Sequence, residues 1–216
     1  MTDRWVVLDV GETLIDETRI FATWAEVLGM PQFTLMAVLG GSIAQEEKPE
    51  DWRRFFELLQ QPEWRDRQPE VEERFGGFRD EDLYADALRG LEGLTAKGYR
   101  LAITANQPAR RYDELRALGV DVEVMAMSEA MEVSKPDPAF FVRTLELIGS
   151  PDPASVAYVG DRVDNDVRPS HAAGMRAVWI RRGPWGYLHE DTDGAADLVV
   201  WSLDELVERI DEVWLG

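Results

Sequence analysis

The chain has 216 residues, 45% hydrophobic and 10% aromatic, enough for the core of one large domain or of one domain carrying an inserted subdomain, and too much for a disordered chain. Its 23 Lys and Arg against 42 Asp and Glu leave a formal charge of −19, which repels both a nucleic-acid backbone and an anionic membrane surface, so neither is expected as a partner. The absence of Cys excludes disulfides, thiolate catalysis and Cys-based zinc sites.

Met1-Thr2-Asp3-Arg4 opens no signal-peptide pattern, and no run approaches the ~18 apolar residues of a membrane span. The expectation is a soluble, cytoplasmic protein. Arg4 to Val10 then reads as a short strand buried on both faces. Residues 16–79 break away from that pattern and contain helix-spaced sets instead: Phe21, Trp24, Ala25 and Leu28, then Trp52, Phe55, Phe56 and Leu59. Pro31, Gly40-Gly41, Pro49, Pro62 and Pro69 punctuate them, and Gly76-Gly77 offers a hinge at the return point.

From residue 80 onward strands and helices alternate. Strand-like runs lie at Tyr99–Ala105, Val122–Met127, Ser155–Val159, Ala177–Ile180 and Leu198–Trp201. Between them, Leu83, Ala87, Leu88, Leu91 and Leu94 share a helix face that Asp80 could cap. Phe140, Phe141, Leu145 and Ile148 share another, and Ser202 with Glu205 has capping-box spacing. The fold class predicted is α/β, a Rossmann-like parallel sheet covered on both faces, with residues 1–15 and 80–216 as the core and 16–79 as an inserted α-helical cap.

In such sheets ligands bind at the carboxyl ends of the strands. Four polar features fall there: Asp9 at the end of the first, Thr104 at the end of the second, Lys135 after the third, and Asp161 at the end of the fourth, running on to Asp166. Asp9, Asp161 and Asp166 are hard oxygen ligands suited to Mg²⁺. Lys135 as a point charge and Thr104 as a hydroxyl donor form an anion pocket, to which Asn106 could add an orienting amide. A carboxylate beside a metal and a cation is the equipment of phosphoryl transfer through an aspartyl-phosphate.

These four features, in this order, resemble the motifs of the haloacid dehalogenase-like (HAD) hydrolase superfamily in its helical-cap (C1) form, and the resemblance covers essentially the whole chain. It implies Asp9 as the nucleophile, Thr104 and Lys135 as phosphate-binding residues, and a Mg²⁺ site of Asp9, the Gly11 carbonyl, Asp161 and Asp166. It implies a Mg²⁺-dependent phosphatase acting on a small phosphorylated metabolite.

One position departs from the pattern. Phosphatases of the superfamily carry a second Asp two residues after the nucleophile as general acid and base, and here that residue is Gly11. Glu12 or a carboxylate of the cap could supply the proton in its place. Two rivals follow from the same Gly: a metal-independent 2-haloacid dehalogenase, and a catalytically weak phospho-ligand-binding relative. The acidic set Asp161, Asp164 and Asp166 weighs against the dehalogenase, with Asp164 read as solvent-facing. Arg110-Arg111 and Arg181-Arg182 read as solvated pairs, and the aromatic residues of the cap as helix packing.

Overall fold

A computed structural model of the chain describes residues 4–45, 52–189 and 194–215, without the side chains of residues 52–54. Pro49 and the side chain of Trp52 therefore lie outside the described residues. Six strands, β1 (Trp5–Leu8), β2 (Arg100–Ala105), β3 (Val124–Met127), β4 (Val156–Gly160), β5 (Arg176–Ile180) and β6 (Leu198–Val200), form one parallel sheet in the order β3-β2-β1-β4-β5-β6. Because both faces are covered, most strands read as unbroken apolar runs. Side chains alternate across the sheet: Val6 and Leu8 join Leu91, Leu94, Leu203 and Leu206 on one face, while Trp5 and Val7 join Phe140, Phe141 and Tyr158 on the other.

The first face is covered by α5 (Ala87–Ala96) and α11 (Leu203–Arg209), the second by α8 (Pro138–Leu147) and α9 (Arg168–Ala172). Shorter helices α6 (Arg111–Ala117), α7 (Ser128–Met131) and α10 (Gly183–Leu188) complete the connections. Strand order reverses at β1, which has β2 on one side and β4 on the other. The crevice for a ligand therefore opens at the carboxyl ends of β1 and β4.

The expected cap at Ser202 differs in outcome from the one at Asp80, and Asp137 caps α8 without having been expected to. Ser202 Oγ accepts from Glu205 N at 3.0 Å, and Asp137 Oδ1 accepts from Ala139 N at 2.8 Å. Asp80 instead opens a single 3₁₀ turn, Asp80–Asp82, and α5 begins only at Ala87. The residue before it, Asp86, turns its carboxylate away, to Leu203 N at 2.8 Å and to the buried Arg182 guanidinium.

Among the described residues, four α-helices run between β1 and α5: α1 (Thr18–Val27), α2 (Gln32–Gln45), α3 (Trp52–Leu58) and α4 (Trp64–Phe75). They bury their own apolar cluster of Phe21, Ala25, Leu35, Leu39, Phe55 and Phe56. Trp64 stacks on Phe56 at 4.4 Å between ring centroids. Gly40-Gly41 and Pro69 do not end elements as expected: they lie inside α2 and α4. A proline within a helix forfeits one backbone bond, a cost that packing of Val71 and Phe75 in the same helix offsets. Gly76 adopts φ 68° as the left-handed C-cap of α4, and the chain after it is held, since Phe78 N donates to Glu114 Oε2 at 2.9 Å.

Two arginines tie this segment to the sheet domain. Arg19 of α1 donates to Asp82 Oδ1 at 2.8 Å and to the Phe75 carbonyl at 2.7 Å. Arg111, expected to be solvated, is 1% exposed and bridges Glu72 of α4 at 2.9 Å and Glu114 at 2.6 Å. Arg182 is likewise buried, against Asp86 and the Thr13 carbonyl. In both pairs the neighbouring carboxylates make burial of the guanidinium tolerable, which charge spacing alone does not reveal. Among the described residues no single helix is long and apolar enough to cross a membrane.

Candidate active site

β1 and β4 are in register, Leu8 opposite Val159, and Asp9 N donates to the Val159 carbonyl at 2.9 Å. The residues just past these strands therefore emerge side by side. Asp9, Asp161 and Asp166, all buried, place one carboxylate oxygen each within 4.8 Å of one another. Asp166 reaches this point because the chain after β4 makes a π-helical turn at Val163–Val167. Its Oδ2 accepts from Arg162 N at 2.9 Å. The turn needs Gly160: a Cβ there would lie 2.3 Å from the Asp166 carboxyl carbon.

Lys135 is 5% exposed, not solvated, and its Nζ lies 2.8 Å from Asp9 Oδ1 and 2.6 Å from Asp166 Oδ1. Burial opposes its charge, but Asp166 and Asp9 outweigh that and hold its pKa raised. Asn106 fixes the lysine backbone from both sides, donating from Nδ2 to the Lys135 carbonyl at 2.9 Å and accepting from Lys135 N at 2.8 Å. Asn106 thus positions Lys135 while lining the same cavity.

Burial, then the neighbouring carboxylates Asp166 and Asp9, push Asp161 up, and burial pushes Asp166 up against the opposing pull of Lys135. Three carboxylates facing one ammonium leave two negative charges uncompensated. Asp161 Oδ2 is buried with no hydrogen-bond partner among the described residues. An all-oxygen donor set, a two-charge deficit and an orphaned buried oxygen fit a hard divalent cation.

Thr104 is not brought to this site. It is fully buried, and its hydroxyl meets Thr144 Oγ1 of α8 at 3.2 Å. Strand alternation is the reason: Thr104 shares the sheet face of Ala102, which is covered by Phe140 and Phe141. Asp164, expected to face solvent, is half-buried and pairs with Arg162 at 2.6 Å. Arg162 in turn lies 4.9 Å over Trp185.

The cavity, about 150 Å³, is lined by Asp9, Gly11, Lys135 and Asp161, by Glu12, considered above as a proton source, and by Glu17, Arg162, Asn165 and Trp185, which were not named as site residues from the sequence. Asn165 carried a signal, lying inside the acidic run; Glu17 was marked only as one of the carboxylates of the cap, since only folding brings it near. Glu12 is buried in a left-handed backbone, φ 50°. Both its oxygens are engaged: Oε1 accepts from Glu17 N at 3.0 Å and Oε2 from the Tyr84 hydroxyl at 2.5 Å. Glu17, just ahead of α1, has its carboxyl pushed up to about 8, by burial first and then by Glu12 and Asp9.

The profile of the hydrolase family described as haloacid dehalogenase-like hydrolase matches residues 4–174. The glyceraldehyde 3-phosphate phosphatase of Methanopyrus kandleri is 32% identical over 133 residues, 60% of this chain and 56% of its own. The phosphoglycolate phosphatase of Haemophilus influenzae (strain 86-028NP) is 31% identical over 150 residues, 65% of this chain and 64% of its own. The chain thus matches between half and two thirds of the length of these relatives. In fold it is similar to a HAD phosphatase from Thermococcus onnurineus, with TM-score 0.63, 24% identity and coverage of 96% and 97% of the two chains. A 2-haloacid dehalogenase from Pseudomonas syringae pv. Tomato is similar too, with TM-score 0.61, 22% identity and coverage of 96% and 98%. At those identities the likeness is one of fold. The profile match takes in strands β1 to β4, at whose ends the cavity lies, and the carboxylates Asp9, Asp161 and Asp166, and the chain belongs to the haloacid dehalogenase-like hydrolase family.

Proposed function

We propose that the chain is a Mg²⁺-dependent phosphatase that removes phosphate from a small phosphorylated metabolite through an aspartyl-phosphate on Asp9. The observation that carries this reading is the meeting of Asp9, Asp161 and Asp166 within 4.8 Å around the Lys135 ammonium. Asp9, Asp161, Asp166 and the Gly11 carbonyl are the groups to hold the cation. When bound, Mg²⁺ offsets the repulsion between these carboxylates and an anionic substrate and draws charge from the phosphoryl oxygens.

An oxygen of Asp9 attacks phosphorus, the ester oxygen departs, and water then cleaves the acyl phosphate to return the free carboxylate. Lys135, fixed through Asn106, neutralises an oxygen of the transferring group. Thr104 takes no part, because its hydroxyl is buried between the sheet and α8, where it accepts from Thr144 Oγ1. The cavity of about 150 Å³ favours a compact substrate over a nucleotide. Residues 16–79, with their own apolar cluster, act as the cap over it.

Asp9→Asn tests the nucleophile. Release of phosphate from 4-nitrophenyl phosphate with Mg²⁺ is expected to fall by at least about 10³-fold, and unchanged turnover refutes the assignment. Gly11 favours a second reading, a metal-free dehalogenase, because carbon–halogen cleavage needs no leaving-group proton. Halide release from a 2-haloacid that survives a chelator would establish that reading instead.

A further inference from the structure

Cleavage of an alkyl phosphate releases an alkoxide, which needs a proton as the bond to phosphorus breaks. Gly11 has no side chain to give one, and Glu12 beside it has both oxygens engaged, by Glu17 N and by Tyr84. The vacant volume is nonetheless filled by a carboxyl group. A Cβ built on Gly11 would lie 2.6 Å from Glu17 Oε1, 2.9 Å from its carboxyl carbon and 3.3 Å from Oε2. A side chain at position 11 and the present placing of Glu17 are therefore mutually exclusive.

Glu17 lines the same cavity as Asp9, Lys135 and Asp161. Its backbone is pinned by the hydrogen bond from its N–H to Glu12, which Tyr84 holds in turn. No described residue hydrogen-bonds or ion-pairs with the Glu17 carboxyl, which leaves it available to a substrate.

We propose that Glu17 is the catalytic acid and base of this site, its carboxyl replacing from the entry of α1 the one absent at position 11. The inference rests on the phosphatase reading above. As an Asp9 oxygen bonds to phosphorus and the phosphorus–ester oxygen bond breaks, the Glu17 proton passes to the departing alkoxide, giving the alcohol and a Glu17 carboxylate. A water then yields a proton to Glu17 while its oxygen bonds to phosphorus. The bond between Asp9 and phosphorus breaks, releasing phosphate with both carboxyl groups restored.

The test compares two leaving groups in the full chain with Mg²⁺. One probe is 4-nitrophenyl phosphate, whose phenolate leaves without a proton; the others are alkyl esters, glyceraldehyde 3-phosphate and phosphoglycolate. Glu17→Gln is expected to lose about 10²- to 10⁴-fold in kcat/KM on the alkyl ester that the wild type cleaves, and less than about tenfold on the aryl ester, which also reports an intact fold. Equal losses on the two, or none on either, overturn the proposal. So does a wild type that cleaves only the aryl ester. A wild type that cleaves neither overturns the phosphatase reading itself and this inference with it. The paired variant Gly11→Asp, Glu17→Ala moves the carboxyl back to position 11. It is expected to recover at least about tenfold of the alkyl-ester turnover lost by Glu17→Ala, as restored proton transfer requires. A paired variant active on the aryl ester alone overturns the equivalence of the two positions.

Discussion

The two walls of the cavity are built on different physics. On the sheet side, Asp9, Lys135 and Asp166 hold one another at 2.6–2.8 Å, with Asn106 and Arg162 N supporting from behind. On the side of α1 to α4 the packing behind the cavity is apolar: Trp185, which follows β5, joins the cluster of Phe21, Leu35 and Phe56, with its ring 6.5 Å from Phe21. A wall of charges requires every partner, because each one lost leaves others buried and unpaired. An apolar contact tolerates adjustment, because its loss leaves no unpaired charge behind.

Lys135→Met separates the walls most sharply. It leaves three buried carboxylates without their cation, so turnover is expected to fall at least about 10²-fold and stability by about 3–5 kcal/mol. Denaturant unfolding with and without Mg²⁺ checks this; a stability loss that added Mg²⁺ does not reduce would contradict a shared charge site. Trp185→Ala is expected to cost about 3 kcal/mol or more from lost packing while the metal affinity of the sheet side is kept. Metal titration beside thermal unfolding reads both, and a lost metal site would show that the walls are not separable.

Asn106→Ala removes two bonds to the Lys135 backbone and is expected to cost about 1–2 kcal/mol, with kcat lowered more than KM is raised. Steady-state kinetics decide, and a pure KM effect would make Asn106 a substrate contact only. The last change is at Glu17, where the readout is the pH dependence of stability. Its carboxyl keeps its proton to about pH 8 in the folded chain against an ordinary 4.5. The folded state therefore binds the extra proton between those values, and the stability this residue contributes is lost as pH rises through that window. Glu17→Gln removes that loss, so its stability relative to the wild type is expected to grow from pH 4.5 to 8. Parallel stability profiles would show that Glu17 ionises freely in the folded chain.

Some of this was legible along the chain and some was not, for reasons visible in single residues. The apolar runs marked all six strands to within two residues, because a strand buried on both faces admits little else. The glycine-for-aspartate exchange at position 11 was likewise plain, but what replaced it was not. Glu17 is six residues away, across a turn held by Glu12, and nothing in its neighbours marks it. Arg111 and Arg182 read as surface charges because Glu72, which bridges Arg111 from α4, and Asp86, which pairs with Arg182, lie 39 and 96 residues distant.

Sequence by itself determined the α/β class, the helical insertion after the first strand, and the loop identities of Asp9, Lys135, Asp161 and Asp166. Burial periodicity and strand-end position are local properties, and local properties survive in a linear string. Tertiary structure decided which side of a strand faced the ligand and which carboxyl filled an empty volume. It turned Thr104 inward to Thr144 and brought Glu17 against Gly11. Those outcomes depend on how separate elements pack together in space, which no stretch of chain encodes alone.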